Sequence, residues 1–230
     1  QMCIRDRLHA GQKIATAGGR LALRWRDGSS VRIDAHTTVR LTPDGAAELV
    51  RGRVYVDAGA AAAAVEAPVI LTPAGPVRHI GTQYMVSVGG GSADDASTRI
   101  SVRDGRVALT AGGQQHTAVS GQQLSVGPGD EPDLRPISVY GDAWLWADAL
   151  AAPFAADGRS IAEFLDWVGR ETGHRVEFES AAAEERAHTS RLHGTISLEP
   201  MRALEPVLQT ANLVARVHNG IIRVRFRTDE

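Results

Sequence analysis

The sequence predicts a mainly β chain, in which an all-β antiparallel domain is followed by a small two-helix α+β domain. Two observations predict it. From Arg20 to about Val126 apolar residues alternate in short runs broken by turn residues, whereas from Ser160 the apolar spacing lengthens to that of an α-helix. Between the two regimes, Gly127 to Pro136 holds Pro128, Pro132 and Pro136 with Gly129, Asp130, Glu131 and Asp133, which is linker chemistry. The expected division is an all-β domain over 8–127, a Pro-rich linker and aromatic connector over 128–150, and an α+β domain over 151–230. The opening Gln1 to Arg7 follows neither period and reads as a sequence-assembly scar.

In the first domain Leu21, Leu23 and Trp25 share a face, Asp27-Gly28 turns the chain, and Val31 and Ile33 resume the alternation, so a hairpin is expected. Val39 and Leu41 mark the next strand. Leu49 leads through Arg51-Gly52 to Val54 and Val56, and Val69 to Leu71 precede Pro73. A second hairpin is expected where Ile100 and Val102 meet Asp104-Gly105, with Val107 and Leu109 returning, because Asp-Gly tolerates the positive φ of tight turns. The Ala58 to Ala64 run has helix propensity, but Gly59 interrupts it and no apolar stripe accompanies it, so it reads as a loop.

Tyr140, Trp144 and Trp146 follow the linker, and so dense an aromatic cluster reads as packing between domains. Beyond it, Ile161, Phe164, Leu165 and Val168 form the apolar stripe of a helix. Ser160 and Glu163 have the spacing of a capping box, and Gly173 stands where a left-handed cap would end the helix. Val176 and Phe178 alternate as a strand. After a polar stretch, Leu192 to Leu198 suggest another, and a second helix starts near Pro200, with Met201, Leu204 and Leu208 on its buried face. Pro206 must be absorbed by a kink or by a short helix. Asn219-Gly220, between Leu213 to His218 and Ile221 to Phe226, predicts a closing hairpin.

Composition narrows the function classes. A formal net charge of -2, with Lys13 the single lysine beside 27 acidic residues, leaves no basic excess for nucleic acid. The lone Cys3 excludes an internal disulfide framework, and no stretch approaches the length of an apolar membrane span. Of eight histidines, His188 and His193 stand closest to a ligand pair, yet their spacing suits neither one helix face nor a tight strand pair. Gly89-Gly90-Gly91-Ser92 lacks the Lys and the following helix of a phosphate loop, and so reads as a flexible inter-strand loop. Asp94-Asp95 lacks the alternating oxygen ligands of a calcium loop, which leaves only weak calcium binding open. No nucleophile and base pair stands out, so no catalytic, cofactor or metal residue is assigned and a non-enzyme is expected.

Two resemblances emerge from these motifs. The order Asp27-Gly28-Ser29, Val31, Ile33, Asp34-Ala35, Thr37; Gly52 to Asp57; Thr72-Pro73-Ala74-Gly75; Gly81-Thr82-Gln83-Tyr84-Met85-Val86; Val102 to Val107 with Asp104-Gly105; and Gly121 to Leu124 resembles the FecR domain. Within it Gly81, Thr82, Tyr84 and Val86 read as architecture: Gly81 supplies unusual dihedrals, Thr82 bonds locally, and Tyr84 and Val86 alternate inward. Phe154, the helix ending in Thr172-Gly173, Val176 to Phe178, Leu192-His193-Gly194 and Pro200 to Ala211 resemble the short N-terminal domain of secretins and TonB-dependent transporters. Pro206 and Asn212 depart from that pattern.

The first resemblance implies the periplasmic part of an inner-membrane regulator, with an anti-sigma segment and membrane helix upstream. Such a regulator relays a signal, typically of iron or siderophore uptake, from an outer-membrane transporter to a sigma factor by protein binding. The small second domain is then the docking surface for the transporter's signalling domain, with Phe154, Trp167, Leu213 and Val217 the expected contacts, the last two on the edge strand Leu213 to His218. No cofactor is implied, and the oligomeric state stays open. The alternative is a glycan or cell-wall binding module, motivated by Trp144 and Trp146.

Overall fold

The computed structural model describes residues 9–25, 27–59, 69–89 and 96–227 of the chain. The readings of residues 1–7, of most of the Ala58 to Ala64 run, of the loop from Gly90 and of Asp94-Asp95 lie outside the described residues. The chain divides into two compact units, Gln1–Ser138 and Val139–Glu230.

The first unit consists of β1 (Lys13–Ala15), β2 (Leu21–Arg24), β3 (Ser30–Ile33), β4 (Thr38–Leu41), β5 (Ala47–Asp57), β6 (Ile70–Thr72), β7 (Gly75–Gly89), β8 (Ser97–Ala111), β9 (Gln114–Val119), β10 (Gln122–Val126) and β11 (Asp133–Pro136). All are joined in one hydrogen-bonded network, but the three long strands change partners halfway. β5 pairs with β4 through its first half and with β3 through its second. β7 pairs first with β6 and then with β5. β8 pairs first with β10 and then with β9. Two layers result, sharing three bent strands around one core that holds Val31, Val56, Tyr84 and Val102 from one half and Leu49, Ile70, Val77 and Leu109 from the other.

A glycine marks each bend: Gly52, Gly81 and Gly105, with φ of 95°, 57° and 79°. Across each one the buried position changes parity, from Leu49 to Val54, from Val77 to Tyr84 and from Val102 to Val107. One extra residue is thereby inserted in the ladder, so both halves keep their apolar side chains on the core. This corrects the expected hairpin at Asp104-Gly105, which lies inside β8. Asp-Gly chemistry reports a positive φ, and a bulge needs that as much as a turn does. The chain reverses instead at Gly112-Gly113, with φ of 56° and 80°. The hairpin at Asp27-Gly28 forms as expected: β2 and β3 pair, and the Asp27 carboxylate accepts the Ser29 N–H at 2.9 Å and the Ser29 hydroxyl at 2.7 Å. Asp133–Pro136, within the stretch read as linker, pairs with β10 as an edge strand, where proline is tolerated.

The opposite face of β3, β5, β7 and β8 carries Arg32, Tyr55, Asp57, Gln83, Ser101 and Arg103, all buried. The Arg32 and Arg103 guanidinium carbons lie 5.1 and 5.4 Å from the Tyr55 ring centre, and the Gln83 amide donates to Asp57 at 3.1 Å.

The second unit consists of α1 (Leu145–Asp148), β12 (Phe154–Ala155), α2 (Ile161–Thr172), β13 (Arg175–Phe178), α3 (Ala181–Thr189), β14 (Thr195–Ile196), α4 (Pro200–Gln209), β15 (Leu213–His218) and β16 (Ile221–Phe226). α2 has both expected ends: Ser160 Oγ accepts the Glu163 N–H at 3.2 Å, Glu163 accepts the Ser160 N–H at 2.7 Å, and Gly173 caps at φ 74°. The expectation of two helices is corrected by the short α1 and by α3, which replaces part of the polar stretch. It is capped by Ser180 and buries only Ala183 and Ala187, so it shows no large apolar stripe to a reader of sequence. The strand expected from Leu192 to Leu198 shrinks to β14, paired with β12. α4 runs through Pro206, which is exposed, so water can take the carbonyl that its missing N–H leaves unbonded. Asn212 takes φ 59°, a conformation Asn tolerates, which accounts for its standing in for a glycine.

β15 and β16 form the expected hairpin, with Asn219 and Gly220 at φ 49° and 73°. β13 joins the far side of β16 in parallel, so the order is β13-β16-β15 and β15 is an edge. The helices cover the inner face through Phe164, Leu165, Leu204 and Leu208, packed on Leu213, Ile222 and Val224.

Candidate partner-binding surface

The four residues expected to meet a partner separate into two kinds. Phe154 and Leu213 are 2% and 0% exposed, so they can serve a partner only by holding what surrounds them. Trp167 is partly exposed and Val217 is 45% exposed, so both offer surface. Trp167 lies off the α2 stripe but packs on it, with ring centres 5.5 Å from Phe154 and 5.7 Å from Phe164. Phe154 and Phe164 meet edge to face at 5.7 Å, and the Arg159 guanidinium sits 4.7 Å over Phe154. The result is an aromatic cluster with one accessible member, a tryptophan, a residue type enriched among those that dominate binding energy at interfaces.

On the sheet, alternation puts Val214, Arg216 and His218 of β15 on the outer face, opposite Arg225, Arg223 and Ile221 of β16. Parallel pairing adds Arg175 beside Ile221 and Glu177 beside Arg223. Glu177 meets Arg223 at 3.4 Å and Arg175 at 3.6 Å. Arg216 stands directly across from Arg223 and has no ion-pair partner among the described residues. Sequence reading missed this cationic cluster, although the two-residue turn at Asn219-Gly220 sets the register that places Arg216 against Arg223. Only the contribution of β13 required the tertiary fold.

In the first unit the motif residues Thr82, Tyr84 and Val86 are 1%, 0% and 0% exposed, on β7 beside the Gly81 bend. Thr82 does not bond locally through its side chain as expected: its hydroxyl is buried without a hydrogen-bond partner among the described residues, as are the Tyr84 hydroxyl and both ring nitrogens of His79. His79 and Tyr84 rings lie 5.3 Å apart. Burial holds the His79 imidazole below its ordinary pKa against the opposing pull of Asp27, and burial, aided by Asp27, raises the Tyr84 phenol. Asp34 shows the opposite balance. Its burial would raise the carboxyl, but bonds from Arg20 at 2.8 Å, from the Ala35 backbone and from Arg53 at 2.7 Å lower it.

The residues weighed for other chemistry are dispersed. His188 on α3 and His193 after it are both exposed, and among the described residues no three His, Cys, Asp or Glu side chains gather to hold a metal ion. Trp144 and Trp146 are buried, so neither offers a ring face to a sugar. No described helix is long and apolar enough to cross a membrane.

Residues 12–108 match the family described as FecR protein. The matched span takes in the Asp27-Gly28, Gly52, Gly81 to Val86 and Asp104-Gly105 motifs, and the Gly121 to Leu124 motif follows it. Two crystal structures of a candidate anti-sigma factor from Parabacteroides distasonis ATCC 8503 are similar at 14% identity and a TM-score of 0.46. The match covers 94% of this chain and 100% of the other in one, and 95% and 99% in the second. No curated protein matches the chain.

Proposed function

We propose that this chain is the periplasmic, non-catalytic portion of a FecR-like regulator that relays a signal from an outer-membrane TonB-dependent transporter to a sigma factor. The match of residues 12–108 to the FecR family carries this reading, because it falls on the ordered motifs that shape the bent strands of the first unit. That unit serves as scaffold: Gly52, Gly81 and Gly105 are spent on sheet geometry, and Tyr84 and Val86 on the core. The second unit, which resembles the short N-terminal domain of secretins and transporters, takes the partner through Trp167 and the open edge of β15.

The reading is tested by titrating the full chain with the purified N-terminal signalling domain of a transporter encoded beside it. Saturable binding that protects amides of β15 from hydrogen exchange is the expected result. Absence of binding to every neighbouring transporter's signalling domain overturns it.

A further inference from the structure

We infer that the outer face and free edge of the second unit's sheet form a docking site for an acidic extended polypeptide segment; this rests on the reading of β15 as a partner-binding edge and names the chemistry of what it takes. Three exposed arginines, Arg175, Arg216 and Arg223, converge on one face with His218 beside them, and among the described residues Glu177 is the only carboxylate in an ion pair with any of the three. Arg216 and Arg223 occupy directly opposed positions in the hairpin, an arrangement that destabilises an isolated sheet through like-charge repulsion. A fold that keeps such a pair gains from any ligand that brings carboxylates between them.

The edge decides which anion. Among the described residues β15 pairs on one side only, so its outer backbone N–H and C=O groups face away from the sheet. A polypeptide strand satisfies those groups and, through alternate side chains, delivers acids to the Arg216 row, whereas a phosphate polymer or a lipid surface engages the charge but not the backbone. Val217, alternating to the other face, gives such a strand an apolar contact at the same edge.

The experiment uses the full chain and a capped, labelled octapeptide of alternating Glu and Val, compared with its Lys and Val counterpart, a DNA duplex and phosphatidylglycerol vesicles. The acidic peptide is expected to bind in preference to all three, more weakly as salt rises, with slowed hydrogen exchange confined to β15. The key variant is Arg216→Glu. It places a carboxylate opposite Arg223 and so keeps or raises thermal stability, while it lowers affinity for the acidic peptide by roughly tenfold or more. Equal binding of acidic and basic peptides, preferred binding of DNA or vesicles, or an affinity unchanged in Arg216→Glu overturns the inference. A signalling domain that binds wild type and Arg216→Glu equally sinks this inference and leaves the proposed function standing. An acidic peptide held at β15 with no signalling domain bound does the reverse.

Discussion

Gly81 and Gly105 meet across the β7–β8 ladder so closely that a Cβ on Gly105 would lie 2.6 Å from the Gly81 carbonyl oxygen. The same Cβ would stand 2.6 Å from Thr82 Cγ2, while a Cβ on Gly81 would meet nothing within 4 Å. The two bends therefore differ in what they demand. Gly81 needs only a positive φ, and Gly105 needs that and empty space.

Gly105→Ala is expected to destabilise the first unit by roughly 2–4 kcal/mol, from backbone strain and a clash with backbone. Gly81→Ala should cost only about 1 kcal/mol, from strain alone. Urea unfolding of both variants checks the difference, and equal losses would show that the close approach is not what selects Gly105.

The buried His79 makes the first unit acid-sensitive. Its pKa is lowered in the folded state, so the unfolded chain binds the proton more readily and stability falls as pH drops below about 6.5. Above that value the contribution is complete. His79→Leu should flatten the thermal midpoint between pH 7 and pH 5, and a slope the same as wild type would assign the acid response to other groups.

Ser160→Ala removes the acceptor for the Glu163 N–H and should cost about 1 kcal/mol. Glu163→Gln keeps most of the capping geometry, so it should cost less. Far-ultraviolet circular dichroism during thermal unfolding of the second unit distinguishes the two.

Trp167→Ala should weaken binding of a signalling-domain partner by more than about 1 kcal/mol while the unit stays folded. Calorimetric titration beside a thermal scan measures both quantities. Unfolding of the variant would instead assign Trp167 to the core with Phe154 and Phe164, and Trp167→Phe, which keeps a ring on that cluster, then reports on binding alone.

What could be read from sequence depended on whether the signal was local. The capping box at Ser160, the left-handed cap at Gly173 and the turn at Asn219-Gly220 involve residues within a few positions of one another, and each stands where its chemistry puts it. Asp104-Gly105 was ambiguous because a bulge and a turn make the same dihedral demand, and only the ladder to β7 separates them. α3 was hidden because alanine is enough to cover the small space beneath Ala183 and Ala187. Among the expected contacts, Phe154 and Leu213 are apolar residues on strands, and burial of such residues is settled by neighbours distant in sequence. Of the arginine face, the Arg216–Arg223 pair follows from the local turn, and only Arg175 and Glu177 needed the parallel strand β13, whose pairing no local pattern announces.

That parallel pairing also orders assembly in time. β16 lies between β13 and β15, so the middle strand of the small sheet is the last to leave the ribosome. The first unit has all its strands by Pro136 and can close while translation continues, whereas the three-stranded sheet of the second has no paired strand until β16 is made, the short β12–β14 pair aside. Through that interval the apolar faces of α2 and α4 have no sheet to cover, so a chain released before Ile221 leaves them open to non-native association.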